Sequence, residues 1–146
     1  MKRKTDHIKC LVHFAQVDRE FHEKEIAYIQ KIGKRLGLTD DLVMECIREK
    51  GMNMPELPES EVLRYILFDD ILNLLTIDGV IKPEEATEAK KVAQQLGFDP
   101  AMTDQIITKL KKHIELGDQQ NEISLSIKNE VYRLSNNIQD HAEYNY

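Results

Sequence analysis

The sequence repeats itself at an offset of 60 residues, and this repetition limits the fold more than any other feature. Residues 11–47 align without a gap on residues 71–107. The identical pairs include Asp18 with Asp78, Glu25 with Glu85, Leu36 with Leu96, Gly37 with Gly97, and Ile47 with Ile107. Apolar residues also align with apolar residues along this stretch. Because both patterns coincide, we expect an internal duplication and a fold that contains two related units.

Each copy has the pattern of three helices. The first helix carries an amphipathic stripe formed by Ile8, Leu11, Val12 and Ala15. Its counterpart, residues 61–77, is apolar on nearly every side and should be the most buried element. Gly37 and Gly97 occupy the place of a left-handed C-cap after the second helix. The third helices should begin after the N-cap residues Thr39 and Asp99.

These patterns predict an all-α fold, a compact helical bundle of about seven helices in one domain at residues 1–146. Two pseudo-repeated three-helix units should occupy residues 8–51 and 61–116, with a linker at residues 52–60. A C-terminal helix is expected at residues 119–138, followed by a frayed tail at residues 139–146. The alternation in "EISLSI" leaves a strand open as an alternative for part of this last helix.

The composition excludes several classes of function. Hydrophobic residues make up 41% of the chain and charged residues 32%, which is typical of a folded protein. The net charge of -6 disfavours binding to nucleic acid or to anionic membranes, since both require a cationic surface. The sequence contains no signal-peptide core and no membrane-spanning apolar run, and its two cysteines form no short-spaced motif. We therefore expect a cytoplasmic protein without direct membrane insertion.

The stretch "TIDGVIKPEE", residues 76–85, resembles the second half of an EF-hand calcium loop. An EF-hand places oxygen ligands at positions 1, 3, 5, 7, 9 and 12 of the loop. If Asp78 takes position 5 and Glu85 takes position 12, position 1 falls on Leu74, which has no ligand atom in its side chain. In the first copy, position 1 is Phe14, and Arg19 replaces the glycine of the turn. The EF-hand interpretation therefore fails.

A corner between two helices explains the same residues better. Gly79 can reverse the chain with a positive φ, Lys82 becomes the N-cap, and Glu85 falls at N3, where its side chain can reach back to the N-cap N–H. His22 and Glu25 take these places in the first copy. A carboxylate site of another kind, in which Asp18, Glu25, Asp78 and Glu85 pair the two corners around a divalent cation, is the alternative. The capping role is favoured over this metal site.

The two corners resemble those of the TerB-like family, which is named for a tellurite-resistance protein and related to the N-terminal part of a DnaJ-type co-chaperone. The resemblance rests on "QVDREFHEKE…LGL" and "TIDGVIKPEE…LGF", which follow the duplicated A-D-G-x-(I/F)-x-x-x-E pattern of the family. Val17 and Arg19 depart from this pattern in the first copy, and Ile77 departs from it in the second. The resemblance implies an all-α fold, a link to tellurite or general stress, and metal association at the four acidic positions. It implies no active site.

Other polar residues have simple structural explanations. His7, Cys10 and His13 follow one another at steps of three and cannot share one ion, so we expect surface histidines and a half-buried thiol. Cys46 should pack in the core. A solvated stripe should contain Asp69, Asn73 and Thr76, and a polar groove for a ligand or partner is the alternative.

Catalytic machinery is not apparent in the sequence. The serines lie in no nucleophile elbow, and the chain has no glycine-rich phosphate loop. The expected function is a non-enzymatic TerB-like interaction module with a protein partner and no cofactor, and self-association is left open. The alternatives are a divalent-cation sensor at the acidic corners and, as a third, an enzyme whose cavity gathers Asp69, Asn73 or His13.

Overall fold

The computed structural model describes residues 2–16, 22–49 and 54–137, with side chains up to Arg133. These residues form seven α-helices and no strands. The helices are α1 (Lys2–Ala15), α2 (Glu23–Arg35), α3 (Asp40–Arg48), α4 (Glu61–Thr76), α5 (Pro83–Gln95), α6 (Pro100–Glu115) and α7 (Gln120–Asn137). The predicted all-α class is therefore confirmed, and "EISLSI", residues 122–127, is helical. The predictions for Asp18, Phe21 and the tail at residues 139–146 lie outside the described residues.

Helix α4 is the central element of the fold. Every residue from Leu67 to Thr76 is buried, because α1, α5 and α7 pack against different sides of this helix. Helix α1 also contacts α2 and α3, while α5 contacts α6 and α6 contacts α7. The apolar sequence of α4 thus has a direct physical cause: a helix covered on several sides has little surface left for polar side chains.

Local sequence signals set the ends of the helices. Thr39 Oγ1 accepts a hydrogen bond from the Leu42 N–H at the start of α3, and Asp99 Oδ1 accepts one from the Ala101 N–H at the start of α6. Gly37 has φ of 79° after α2, and Gly97 has φ of 97° after α5. Only glycine adopts this left-handed conformation at little cost, so it ends both helices. The predicted caps are confirmed.

Aromatic packing attaches the α5–α6 turn to α4. Phe98 stacks on Phe68, with ring centroids 4.7 Å apart, and contacts Tyr65 at 5.2 Å. All three side chains are buried. Offset aromatic pairs of this kind contribute about 0.5–1.5 kcal/mol each beyond the area that they bury. This contact places the end of α5 and the start of α6 at a defined position relative to α4.

Candidate functional site

The two helix corners use glutamates of the repeat in the same way. The His22 N–H donates to Glu25 Oε1 at 3.1 Å, and the Lys82 N–H donates to Glu85 Oε1 at 3.0 Å. Both glutamates stand at the N3 position of their helices, as predicted. Their side chains are buried, with only 1% and 2% of the surface exposed. A carboxylate near the N-terminus of a helix is stabilised by the helix dipole, which favours this arrangement.

The two corners also approach each other. His22 Nε2 lies 3.8 Å from Asp78 Oδ2, which joins the start of α2 to the turn before α5. The pKa of Glu25 is raised to about 7, mainly by burial and also by the negative charges of Glu85 and Asp78, while the hydrogen bond from the His22 backbone N–H opposes this rise. The structure therefore brings Glu25, Asp78 and Glu85 into one electrostatic environment. Asp18, the fourth candidate ligand, lies outside the described residues.

The described carboxylates of the two corners, Glu25, Asp78 and Glu85, accept hydrogen bonds from backbone N–H groups. We call these three residues the corner cluster. Glu25 and Glu85 each use Oε1 in a capping hydrogen bond, and Asp78 Oδ1 accepts the Val80 N–H at 3.2 Å. Within the described ranges, no group of three or more His, Cys, Asp or Glu side chains has the geometry to hold a metal ion. Carboxylate oxygens are nevertheless the ligands that Ca²⁺ and Mg²⁺ prefer. The chemistry of the cluster suits a hard cation, while its described contacts are those of helix caps.

A second polar cluster is centred on Asp70, which is 1% exposed. His7 Nε2 lies 2.7 Å from Asp70 Oδ2, and Arg35 binds Asp70 through both terminal nitrogens, at 2.7 and 3.2 Å. The Tyr28 hydroxyl donates to Asp70 Oδ1 at 3.2 Å. Burial alone would raise the pKa of Asp70, but the hydrogen bonds from His7 and Arg35 outweigh burial and lower it. Asp70 thus holds α1 and α2 against α4.

The expectation of surface histidines and a half-buried thiol was wrong for two of the three residues. The His7 side chain is only 9% exposed, because it fills the space between α1 and Asp70. Cys10 is 1% exposed, and burial, followed by the charge of Asp6, raises the pKa of its thiol to about 12. His13 remains partly exposed and lies 3.6 Å from Glu88. Cys46 is buried on α3, as predicted.

The expected solvated stripe of α4 was also wrong. Asp69, Asn73 and Thr76 are buried, because α7 covers them. Three polar pairs join the helices: Lys128 Nζ to Asp69 Oδ2 at 3.4 Å, Ser124 Oγ to Asn73 Oδ1 at 2.6 Å, and Gln120 Nε2 to Thr76 Oγ1 at 3.2 Å. We call this set of six residues the polar seam. Its signal in the sequence is the four-residue spacing of Gln120, Ser124 and Lys128 on α7.

A cavity of about 520 Å³ lies between the first turns of α1, the C-cap of α2 and residues 56–63. His7 and Cys10 line it, whereas its described lining includes none of Asp69, Asn73 and His13, the residues that the enzyme hypothesis required. A thiol whose pKa is raised to about 12 is a poor nucleophile at neutral pH. No sequence pattern indicates this cavity, since residues 54–60 are non-helical and their path is set by tertiary packing.

Comparisons with protein-family models, with curated proteins and with solved structures found no match for this chain. None of the helices among the described residues is both long enough and apolar enough to span a membrane.

Proposed function

We propose that the chain is a TerB-like, non-enzymatic interaction module that acts in the cytoplasm in a stress response of the tellurite-resistance type. One observation carries this proposal. Glu25 and Glu85 stand 60 residues apart, are both buried, and form the same hydrogen bond to the preceding N-cap residue. This likeness supports a duplicated three-helix unit, which is the main feature of the family that the sequence resembles.

The hydrogen bonds of the buried polar residues in α4 support a structural rather than a catalytic role for them. Asp70 is saturated by three side chains, and the seam residues pair with one another across two helices. Groups that are fully hydrogen-bonded in this way fix the relative positions of helices and are not free to bind a substrate. The proposed role is therefore to present a rigid helical surface to a protein partner.

Loss of the chain in its source organism tests this function. We expect cells without it to become more sensitive to potassium tellurite or to oxidative stress, and expression of the wild-type chain to restore resistance. A fusion of the chain to a proximity-labelling enzyme should label a partner protein, and the same enzyme fused to an unrelated helical protein should not. The purified partner and the purified chain should then form a complex. Unchanged stress resistance together with the absence of a complex would contradict the proposal.

The second candidate function is a divalent-cation sensor, and the meeting of the two corners favours it. Because Asp78, Glu25 and Glu85 share one environment, a bound cation would relieve their mutual repulsion. Ligands that bind only the folded state raise its stability by mass action. Thermal unfolding with Ca²⁺, Mg²⁺, Mn²⁺ or Zn²⁺ therefore tests this function directly.

A matched pair of variants makes this measurement specific. Glu85→Gln should abolish the ion-dependent rise in melting temperature, whereas Glu84→Gln, at an exposed neighbouring position, should retain it. The quantity to compare is the shift caused by the ion, since Glu85→Gln also changes the stability of the ion-free chain. A melting curve that no ion alters would exclude the sensor function and leave the interaction module unaffected.

A further inference from the structure

The cavity beside α1 has the features of a small-molecule site. Its volume of about 520 Å³ lies within the range of about 300–1,000 Å³ found for ligand pockets. Most of its wall is apolar, with Leu36 from the end of α2, Leu57 from the connecting segment and Leu63 from the first turn of α4. Polar groups are few inside it. A ligand with an aliphatic body would bury apolar surface here without displacing protein hydrogen bonds.

Formal charges at the rim of the cavity balance one another. Three cations stand in the first turn of α1: Lys2, Arg3 and Lys4. Three carboxylates face the same cavity: Asp6, Glu56 and Glu59. Lys2 and Glu56 form a loose pair across the rim at 3.8 Å, and both side chains are 79% exposed. The rim as a whole therefore does not select the charge of a ligand.

Helix ends make the cavity more positive. The N-terminal turns of both α1 and α4 line it, and each carries a partial charge of about +0.5. Among the described residues that line the cavity, one helix C-terminus, at Leu36 after α2, contributes a charge of about −0.5. The first turn of α1 has no acidic residue, so its cations stand against the dipole of their own helix. An anion at this end of the cavity would reduce that repulsion.

His7 supplies the polar group inside the cavity. Its side chain is 9% exposed and lines the cavity wall, while its Nε2 is held by Asp70 at 2.7 Å. Its Nδ1 has no hydrogen-bond partner among the described side chains and backbone. Arg35 already balances the charge of Asp70 through two hydrogen bonds. The imidazole is therefore fixed in orientation, and its second nitrogen remains to bind a ligand. A carboxyl group can share one proton with this nitrogen.

We propose that this cavity binds a medium-chain monocarboxylic acid. Its aliphatic chain packs against Leu36, Leu57 and Leu63, and its carboxylate lies at His7 Nδ1 beside the first turn of α1. This inference is independent of the proposed stress function. It rests on the cavity, on the convergence of two helix N-termini and on the position of the His7 ring.

Octanoate is a suitable probe, because it stays monomeric at millimolar concentration. We expect it to shift the backbone amide resonances of residues 2–10 and 57–63 in the full chain, in a saturable manner. 1-Octanol, which has the same tail and no charge, should bind at least about tenfold more weakly, a difference of about 1.4 kcal/mol. The absence of saturable shifts, or equal affinity for both compounds, would overturn the proposal.

Two variant pairs locate the site. Leu57→Trp should fill the cavity and weaken octanoate binding at least about tenfold, whereas Leu125→Trp, on the exposed face of α7, should leave the affinity within about twofold of wild type. His7→Gln should remove the preference for octanoate over 1-octanol, and His13→Gln should keep it. Unchanged binding in Leu57→Trp means that octanoate binds elsewhere and the proposal is wrong. If His7→Gln does not fold, the Leu57→Trp pair and the comparison of the two compounds still decide the question.

Discussion

Asp69 and Asp70 are neighbours in α4, yet they bind opposite parts of the protein. Asp70 binds His7 on α1 and Arg35 on α2, while Asp69 binds Lys128 on α7. Successive residues of a helix point about 100° apart, so two adjacent carboxylates can serve two different interfaces. Burial raises the pKa of Asp69, and its single lysine only partly opposes this effect, whereas the pKa of Asp70 is lowered. Ion pairs thus connect the central helix to α1 and α2 on one side and to α7 on the other.

Replacement of Asp70 should destabilise the fold far more than replacement of Asp69. Asp70→Asn removes the charge that balances Arg35 and His7, and breaking a buried ion pair costs about 3–5 kcal/mol. Arg35 is 46% exposed and can regain some hydration, so we expect a loss of about 2–4 kcal/mol. Asp69→Asn should cost about 1 kcal/mol, because its lysine is already 51% exposed. Urea unfolding at pH 7 measures both values, and equal losses would contradict this account.

Acid should selectively weaken the Asp70 cluster. The folded-state pKa of Asp70 lies below its ordinary value of 3.8, so this carboxylate contributes stability above pH 3.8 that is lost as the pH falls through the folded-state value. The difference in unfolding free energy between wild type and Asp70→Asn should therefore shrink below about pH 4. Urea titrations of both proteins from pH 3 to 7 provide the comparison. A difference that stays constant over this range would show that the lost packing, and not the charge, sets the cost.

Glu25 should give the opposite pH dependence. Its folded-state pKa of about 7 lies above the ordinary value of 4.5, so the folded chain binds the proton more tightly than the unfolded chain. The stability that this group contributes is present below pH 4.5 and is lost as the pH rises to about 7. Glu25→Gln keeps an oxygen for the capping hydrogen bond from His22 but removes the buried charge. At pH 8 this variant should therefore be more stable than wild type by roughly 1–3 kcal/mol.

Chemical unfolding at pH 4 and pH 8 checks the Glu25 prediction. The gain from Glu25→Gln should be small at pH 4, where the carboxyl group is protonated in both states, and should reach its full value at pH 8. Glu84→Gln is the control, since Glu84 is exposed in the first turn of α5. A destabilised Glu25→Gln at pH 8 would mean that the carboxylate charge supports the corner, as a cation-binding or dipole-bound group does.

The sequence predicted the helices well because their signals are local. The capping glutamates Glu25 and Glu85 and the glycines Gly37 and Gly97 act within one turn of their own helix, so short-range pattern is sufficient. The polar residues of α4 were misjudged for the opposite reason. Whether Asn73 is solvated depends on Ser124, 51 residues later, and periodicity within α4 contains no information about that contact. The His7–Asp70 pair spans 63 residues and was missed for the same cause.

The candidate site shows the same division. Sequence alone placed Glu25 and Glu85 at N3, and the structure has them there. The approach of His22 to Asp78 depends on how α2 and α5 are positioned by the rest of the bundle. The cavity at His7 depends on residues 56–60, whose path follows from packing and from hydrogen bonds such as that of Arg64 Nε to the Pro58 carbonyl at 2.7 Å. The hydrogen bonds within one corner could therefore be predicted from the sequence, whereas the contacts between separate elements could not.

Gly33 should resist replacement by alanine, although it lies in a helix. Alanine in place of glycine normally stabilises a helix by about 1 kcal/mol. Here a Cβ on Gly33 would lie 2.4 Å from Cγ2 of Val43, which is fully buried on α3. The close contact of α2 and α3 should turn the gain into a loss of about 1–3 kcal/mol. Urea unfolding of wild type and Gly33→Ala measures this difference in unfolding free energy.

A second substitution tests the cause of that loss. Val43→Ala alone leaves a cavity and should also destabilise the fold. In the double variant, the new methyl group at position 33 occupies part of the space vacated at position 43. The double variant should therefore lose less unfolding free energy than the sum of the two single losses, by at least about 1 kcal/mol. Additive losses would indicate that backbone effects, and not the contact with Val43, determine the cost at Gly33.

The polar seam between α4 and α7 should be more sensitive to the loss of one partner than to the loss of both. Ser124 Oγ is 2.6 Å from Asn73 Oδ1, and Asn73 is only 5% exposed. Ser124→Ala leaves this oxygen without a donor in the described structure, and such a group costs about 1–3 kcal/mol. Ser126→Ala, at a half-buried position on the same helix, should cost less than about 0.5 kcal/mol.

Replacing both members of the seam pair separates polarity from packing. Asn73→Leu combined with Ser124→Ala exchanges the Ser124–Asn73 hydrogen bond for apolar contact of similar volume, and such an exchange is nearly neutral. Asn73→Leu also removes the Nδ2 donor that lies 2.9 Å from Asp69 Oδ1, so part of the loss should remain. We expect the double variant to recover part of the stability that Ser124→Ala loses, as measured by urea unfolding. Amide hydrogen exchange in α7 should be fast in Ser124→Ala and slow in the double variant, since α7 is held by this contact together with Ile123, Ile127 and Val131. A double variant that is less stable than Ser124→Ala would contradict this account and show that the remaining polar contacts of Asn73, such as its hydrogen bond to Asp69, matter more than the filling of the interface.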